Sequence, residues 1–291
     1  MRTLPYEIVD VFTDRPFTGN PLAIVFEAED LSGDQMQALA REFHLSETVF
    51  VLPATLTGAT YRARIFTPSA ELPFAGHPSI GAAVSVAQHR LFGASDDLVQ
   101  ECGAGLLPIV VADGNRACLT GGEPTVSDEM DPAPLLEVAG LTPSDLAGPA
   151  PRRAGCGLEF PYLSVRAEAV AAAVCSLAAG QRHGIDDVSV FHWDASTATA
   201  HTRVFAAGLG VTEDPATGSA ALGFGVWLAA SGLTPPDGDY AFSVQQGAEI
   251  LRPSTLLGCV TTAGGRAERV TVTGSVVPIG SGRILVPPFI G

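Results

Sequence analysis

Gly76-His77-Pro78-Ser79-Ile80-Gly81 is one of two matching stretches that decide the fold of this chain, and the other is Gly218-Ser219-Ala220-Ala221-Leu222-Gly223. Each stretch has the spacing G-x-x-x-x-G, begins an apolar run typical of a helix, and follows an Arg-x-Phe pattern typical of a strand. The two strand patterns are Arg64-Ile65-Phe66 and Arg203-Val204-Phe205. A pattern that recurs in this way indicates an internal duplication. The sequence therefore predicts two similar domains, each with one helix N-terminus.

Both predicted helix starts are candidate anion sites. The first N–H groups of a helix have no partner inside the helix, and the helix dipole places partial positive charge there. We therefore expect the two helix starts to converge on one cleft and to hold a small carboxylate-bearing molecule from both sides.

The composition excludes several classes of function. The chain has 291 residues, enough for two domains with a core each, and 46% of its residues are hydrophobic. Its net charge of −15 argues against nucleic acid and anionic membranes as partners, because both require a basic surface. All sixteen basic residues are arginine. Without lysine the chain cannot form a Schiff base with pyridoxal phosphate, and it has neither a Walker lysine nor a lysine general base.

The N-terminal segment, the apolar stretches and the cysteines predict where the protein is located and whether its thiols are reduced. The first 14 residues lack the apolar core of a signal peptide, and the longest apolar stretch, 220–230, has the length of a buried helix. The cysteines are odd in number and show no C-x-x-C pairing, which predicts reduced thiols in a cytoplasmic protein. We interpret Cys156, between two glycines, as a small packed residue. The five cysteines are Cys102, Cys118, Cys156, Cys175 and Cys259.

The order of predicted elements favours an α+β fold. Short strands alternate with few helices, which include one capped by Ser32 and one over 167–177. No G-x-G-x-x-G follows a strand, so no dinucleotide site is expected. The predicted domains are residues 1–120 and 135–291, joined by a linker over 121–134 that is rich in glycine, proline and acidic residues. The final strands of the second domain could return to the first.

Six motifs, in order along the chain, resemble the phenazine biosynthesis isomerase-like family of the PhzF type. A late region, Gln246-Gly247 with Arg252-Pro253-Ser254, also fits the family, although Ile250-Leu251 stands where a Met-Gly pair is usual. The six motifs are Asp10-Val11-Phe12, Phe17-Thr18-Gly19-Asn20-Pro21-Leu22-Ala23, Ser46-Glu47-Thr48, Phe66-Thr67-Pro68, Pro73-Phe74-Ala75-Gly76-His77-Pro78 and Glu213-Asp214-Pro215-Ala216-Thr217-Gly218-Ser219-Ala220.

The resemblance implies a fold similar to that of diaminopimelate epimerase. It has two related halves, each a barrel-like, mostly antiparallel sheet around a central helix, with the active site in the cleft between them. The implied activity is the isomerisation of a dihydro-hydroxyanthranilate, in which a proton moves between carbon atoms without a cofactor. The resemblance also implies a homodimer.

The resemblance assigns roles to residues of this chain. Glu47 would be the general base and acid, assisted by His77, Asp214 and Ser219. The helix starts at Gly76 and Gly218 would hold polar groups of the substrate, so the implied substrate-binding residues are Asn20, Gly76, Pro78, Thr217 and Gly218. No metal site is expected, since the remaining histidines lack metal-ligand spacing.

The chemistry of these residues agrees with the implied roles. Glu47 precedes the apolar run Thr48-Val49-Phe50, and a carboxyl held away from water has a pKa raised toward the working pH, which suits it to take and return a proton. His77 follows a helix start, where the dipole should lower its pKa and keep it neutral. Ser219 and nearby N–H groups could stabilise an anion, and Asp214 could orient His77 or a substrate amino group.

Two alternatives remain open at this point. A two-thiol epimerase or racemase would need one cysteine in each half, but the expected positions hold Ala75 and Pro215. The other alternative is a carboxylate-binding protein without turnover. The presence of Glu47, His77 and Asp214 together argues against it, because simple binding does not need this set. Exchange of solvent deuterium into a C–H position would separate an isomerase from a binding protein.

Overall fold

The structure is a computed structural model that describes residues 2–209 and 211–288. Contacts divide the chain into two units. Unit 1 comprises Met1–Leu119 with Thr273–Gly291, and unit 2 comprises Thr120–Val272. Both units mix strands with a few helices, so the α+β class predicted from the sequence is confirmed.

The described residues form seventeen named strands and six α-helices, with turns and loops between them. The first part of the chain forms β1 (Thr3–Val11), β2 (Asn20–Val25), α1 (Gly33–Phe43), β3 (Glu47–Pro53), β4 (Tyr61–Phe66), β5 (Glu71–Leu72), α2 (Gly76–Gln88), β6 (Asp97–Cys102), β7 (Gly105–Ala112) and β8 (Arg116–Thr120). The rest forms β9 (Thr125–Val126), α3 (Pro132–Ala139), β10 (Arg152–Gly155), β11 (Glu159–Ser164), α4 (Ala167–Ala172), α5 (Leu177–His183), β12 (Val188–Asp194), β13 (Thr199–Ala206), β14 (Val211–Asp214), α6 (Gly218–Ala230), β15 (Gly238–Gln246), β16 (Ser254–Ala263) and β17 (Arg266–Leu285).

The sheet of unit 1 curls around its central helix. Its strands follow the order β17, β1, β2, β3, β4, β6, β7 and β8, and β5 pairs with β4. All these pairs are antiparallel except β2 with β3 and β4 with β6. The backbone N–H of Val276 on β17 donates to the carbonyl of Asn115, just before β8, and so brings the two ends of the sheet together.

Unit 2 repeats this topology. Its strands follow the order β9, β10, β11, β12, β13, β15 and β16, and the short strand β14 pairs with β13. The two parallel pairs are β11 with β12 and β13 with β15, which correspond to β2 with β3 and β4 with β6 of unit 1. The same succession of pairings in both units supports the duplication inferred from the sequence.

Each unit surrounds one helix that is apolar on every side. In α2 the residues 76–86 are all buried, and in α6 the residues 218–229 are all buried. A helix without a polar face can only be stable when other elements cover its whole circumference. Six strands of unit 1 contact α2, and α6 contacts β9, β10, β11 and β16 of unit 2.

The second glycine of each G-x-x-x-x-G stretch permits this close packing. A Cβ atom on Gly81 would lie 2.5 Å from the Cδ2 atom of Leu22 on β2. A Cβ atom on Gly223 would lie 2.5 Å from the hydroxyl of Tyr162 and 2.7 Å from the carbonyl oxygen of Ala154. The second glycine of the repeated motif therefore marks the point where the helix lies so close to the sheet that no side chain fits.

The Arg-x-Phe strands also make the same contacts in both units. Arg64 donates two hydrogen bonds of 2.7 Å to Glu71 on β5, and its guanidinium lies over the Phe66 ring. In unit 2, Arg203 donates to Glu213 on β14 and lies over the ring of Phe205. Each pair ties the strand to the short segment that leads into the central helix. The unit 2 pair is nearly buried, whereas the unit 1 pair is partly exposed.

Outer helices cover the opposite face of each sheet. Ser32 caps α1 with the predicted hydrogen bond, its hydroxyl accepting from the backbone N–H of Gln35. In unit 2 the prediction of one helix over 167–177 is wrong, because α4 ends at Ala172 and α5 begins at Leu177. The side chain of Ser176 caps the start of α5, so a second helix begins there. Arg203 accounts for the end of α4, since it donates to backbone carbonyls of its last turn.

We expect Gly223→Ala to lower the free energy of unfolding by about 1–3 kcal/mol, because the new methyl group overlaps Tyr162 and a backbone carbonyl. This overlap should outweigh the gain of about 1 kcal/mol in helix propensity from glycine to alanine. Gly280→Ala is the control, because a Cβ atom there meets nothing within 4 Å. Urea unfolding of both variants checks the prediction, and equal stability of the two would contradict it.

Candidate active site

Three polar side chains of unit 1 meet at the start of α2. Asn20 is the first residue of β2, Glu47 is the first residue of β3, and His77 is the second residue of α2. The amide nitrogen Nδ2 of Asn20 lies 3.2 Å from Nδ1 of His77. On the other side of the ring, Nε2 of His77 lies 3.5 Å from Oε2 of Glu47. The structure therefore brings together three residues that lie far apart in the sequence, since Asn20 and His77 are separated by 57 positions.

Burial sets the charge of this group. Asn20 is fully buried, and the side chains of His77 and Glu47 are 4% and 15% exposed. Loss of hydration lowers the pKa of His77 to about 3, so the imidazole is neutral at neutral pH. With the amide nitrogen of Asn20 donating to Nδ1, the single ring proton lies on Nε2 and faces the carboxylate of Glu47.

A buried chain of hydrogen bonds fixes the helix start that carries His77. The hydroxyl of Tyr61 donates to Oε1 of Gln100 over 2.9 Å, and Nε2 of Gln100 donates to the hydroxyl of Ser79 over 2.8 Å. Ser79 in turn donates to the carbonyl of Ala75, the N-cap of α2. Sequence reasoning missed this chain, because its members lie on two strands and a helix and share no local pattern.

A second group lies at the start of α6 in unit 2. The hydroxyl of Thr217, the N-cap of α6, donates to Oδ2 of Asp214 over 2.6 Å. Gln246 at the end of β15 is 2% exposed and makes three hydrogen bonds to this group. Its Nε2 donates to the carbonyl of Asp214 and to the hydroxyl of Thr217, and its Oε1 accepts from the backbone N–H of Thr217.

Gln246 was not among the predicted site residues, although the sequence carried a signal for it. Gln246-Gly247 belongs to the late region that fits the family. Gly247 has a φ of +80°, and a Cβ atom on it would lie 2.5 Å from the carbonyl oxygen of Pro215. The corresponding glycine of unit 1, Gly103, packs in the same way against Pro73. The motif therefore marks the strand end that supports the helix start.

The remaining predicted residues lie in the first turns of the two helices. Gly76 and Pro78 flank His77 in α2, and Gly218 and Ser219 are the first two residues of α6. All four are buried.

The positions before the two helices bear on the two-thiol alternative. The N-cap of α2 is Ala75 and the N-cap of α6 is Thr217, with Pro215 two residues before that cap. Neither cap is a cysteine. A pair of thiols therefore cannot act from these two positions.

Other features of the described residues were also compared with what a functional centre needs. Cys156 is 4% exposed, and burial raises the pKa of its thiol to about 12, which fits the packed residue expected there. Among the described residues, no three His, Cys, Asp or Glu side chains are grouped so that they could hold a metal ion. A search of the same residues finds no helix with the length and apolar character needed to span a membrane.

We expect His77 to remain neutral from pH 8 down to about pH 4, with its proton on Nε2, because burial lowers its pKa and Asn20 occupies Nδ1. Nitrogen-15 NMR of the imidazole, which separates the two tautomers and the cation, measures this state. Protonation of His77 near pH 6.5 would contradict the geometry described.

Comparison with known proteins places the chain in a family. The family model described as phenazine biosynthesis-like protein (PhzC-PhzF) matches residues 9–282. The chain is 34% identical over 288 residues to a protein of Pseudomonas aeruginosa named trans-2,3-dihydro-3-hydroxyanthranilate isomerase, covering 96% of this chain and 98% of that protein.

Solved structures share the fold. A phenazine biosynthesis protein of the PhzF family from Bacillus anthracis superposes with a TM-score of 0.88 at 24% identity, covering 98% of this chain and all of that one. A probable proline racemase from Agrobacterium radiobacter gives a TM-score of 0.69 at 17% identity, covering 99% and 94% of the two chains. The predicted fold and family are thus confirmed. The chain belongs to the phenazine biosynthesis-like (PhzC-PhzF) family and is an isomerase of a small molecule.

Proposed function

We propose that this isomerase moves a proton between carbon atoms of a small carboxylate-bearing amino or hydroxy acid, with Glu47 as base and acid. The observation that carries the proposal is the position of Glu47, whose Oε2 lies 3.5 Å from Nε2 of a neutral, buried His77. General acid–base catalysis requires such a proton acceptor in a site largely shielded from water.

In the proposed reaction a single carboxylate removes a proton from the substrate and returns it, so no proton is gained or lost overall. A C–H bond of the substrate breaks and its proton moves to an oxygen of Glu47, while the electron pair is delocalised into the adjacent unsaturated or carboxylate system. Glu47 then returns the proton to a different carbon, and a C–H bond forms there. His77 can donate from Nε2 either to Glu47 or to the substrate anion, and a neutral donor suits both roles.

The second group is proposed to bind the substrate. Asp214, Thr217, Gly218 and Ser219 stand at the start of α6, where free backbone N–H groups and the helix dipole favour an anion. We assign the same role to Asn20, Gly76 and Pro78 at the start of α2. Support comes from the family resemblance and from the duplication, which provides one such helix start in each unit.

The first substrate to test is the dihydro-hydroxyanthranilate in the name of the Pseudomonas aeruginosa relative. By the same resemblance we propose a cytoplasmic homodimer. Light scattering at micromolar concentration should give twice the mass of one chain, whereas a monomer mass would contradict the dimer without affecting the proposed reaction.

We expect Glu47→Gln to reduce turnover of that substrate by about 10³-fold or more, because the amide has the shape of the carboxylate but cannot accept the proton. Proton NMR in D₂O follows both product formation and the appearance of deuterium at the new C–H position. Exchange into carbon separates an isomerase from a protein that only binds.

Glu42→Gln is the matched control, because Glu42 is exposed on α1 and far in sequence from either helix start. It should leave turnover within about twofold of the unaltered protein. Near-normal turnover of Glu47→Gln would remove Glu47 from the mechanism, and binding without any carbon exchange would favour the non-catalytic alternative.

A further inference from the structure

Unit 2 contains a buried carboxyl that the proposed reaction does not use. Asp187 stands immediately before β12, and its side chain is 13% exposed. Its Oδ1 atom is inaccessible to solvent and accepts no hydrogen bond from any residue that the structure describes. The nearest cation is the guanidinium of Arg153, whose NH2 atom lies 3.7 Å from Oδ1. A buried carboxylate oxygen without a donor is costly and calls for an explanation.

The strand register of unit 1 defines the position of Glu47 relative to the Arg-x-Phe strand. Phe66 and Arg64 of β4 pair with Thr48 and Phe50 of β3. Glu47 is the residue directly before Thr48, the partner of Phe66. The strand before β3 in the sheet, β2, runs parallel to it.

The register of unit 2 is the same. Phe205 and Arg203 of β13 pair with Val188 and Val190 of β12. Asp187 is the residue directly before Val188, the partner of Phe205. The strand β11 runs parallel to β12, as β2 does to β3. Asp187 therefore occupies in unit 2 the strand position that Glu47 occupies in unit 1.

Because side chains alternate along a strand, Asp187 and Glu47 each lie on the face of their own sheet that is turned toward the central helix. Val188 and Val190 belong to the core beneath the outer helices α3, α4 and α5. Ser189 lies on the other face, against Ala220 at the start of α6. Since successive side chains of a strand alternate, Asp187 shares the face of Ser189. That is the face on which Glu47 of unit 1 meets the start of α2.

We infer that Asp187 is a further substrate-binding residue, the counterpart of Glu47 in unit 2, whose carboxylate accepts a hydrogen bond from an amino or hydroxyl group of the substrate. This inference rests on the proposed function, and it assigns the amino or hydroxyl group of the proposed substrate a hydrogen-bond acceptor in unit 2. A donor from the ligand would satisfy Oδ1, which no described residue does.

The surroundings of Asp187 determine how this contact depends on pH. Burial raises the pKa of Asp187 to about 6, partly opposed by Arg153. The carboxylate acceptor therefore forms as the pH rises through about 6, and affinity for a donor should rise over the same range and level off above it. The charged and titratable groups around Asp187 are Arg153 on β10, Tyr162 on β11, Asp186 beside it in the chain, and Cys156, which lies close to Tyr162.

Two aromatic acids test the inference by calorimetric binding at pH 5 and pH 7.5. 3-Hydroxyanthranilate carries amino, hydroxyl and carboxyl groups, and 3-hydroxybenzoate lacks only the amino group. We expect Asp187→Asn to weaken binding of the amino acid at pH 7.5 by about 10- to 100-fold, the usual effect of losing a hydrogen bond to a charged group. A loss of affinity confined to 3-hydroxyanthranilate would place the contact at the amino group, and an equal loss for 3-hydroxybenzoate would place it at the hydroxyl group. In either case the affinities of the variant should no longer rise between the two pH values.

Asp186→Asn is the matched control, because Asp186 is the exposed neighbour of Asp187. At pH 7.5, where Asp187 is ionised in both proteins, it should bind both acids as the unaltered protein does. Carbon-13 NMR of the unaltered protein gives a measurement that does not depend on a variant folding. The Asp187 carboxyl should titrate near pH 6 alone and at lower pH with 3-hydroxyanthranilate bound.

The outcomes separate this inference from the proposed function. Unchanged affinity of Asp187→Asn for both acids, or a carboxyl signal that does not respond to the ligand, would overturn the role of Asp187. If Asp187→Asn weakens binding while Glu47→Gln keeps its turnover, the proposed base fails and the binding role of Asp187 stands. Binding of neither acid by the unaltered protein would overturn the role of Asp187, whereas the proposed reaction is judged by the turnover of Glu47→Gln on its own substrate.

Discussion

The burial of one predominantly apolar helix in each unit is the constraint on which the rest of the structure depends. Neither α2 nor α6 has a polar face, so the sheet of its unit must cover it on every side. This requirement explains the curled, mostly antiparallel sheets, and it explains why Gly81 and Gly223 face strands with no room for a Cβ atom. The apolar burial also leaves the N-terminal end of each helix as the place where polar groups can gather.

The chemistry of the site follows from that arrangement. A helix that is surrounded by a sheet presents its unpaired N–H groups at one end, and the side chains that meet there are shielded from water. In unit 1 this burial keeps His77 neutral and places it between Asn20 and Glu47. The same residues on an exposed helix would be ordinary surface groups, with a histidine that titrates near its usual pKa. The isomerase therefore uses its packing to set the protonation state of its side chains.

Duplication explains which contacts the two units share and which differ. The shared contacts are structural: an arginine of the Arg-x-Phe strand pairs with a glutamate before the helix, and a strand glycine packs against a proline in the same segment. The differences lie in the polar side chains. His77 in α2 corresponds to Ser219 in α6, and Glu47 corresponds to Asp187 by strand register. The repeated scaffold therefore carries a different set of polar groups in each unit.

The sequence by itself determined the α+β class, the duplicated helix starts, the cap at Ser32 and the family, because each depends on residues close together in the chain. It also pointed to Glu47 and His77, which lie in family motifs. Only the tertiary structure decided the break between α4 and α5, the support from Gln246, and the position of Asp187. These depend on hydrogen bonds and strand registers between residues that are far apart in sequence. A local motif such as Gln246-Gly247 can mark one of these positions but does not show its contacts, because the free energy of the contacts comes from burial and pairing that exist only once the sheets have closed around their helices.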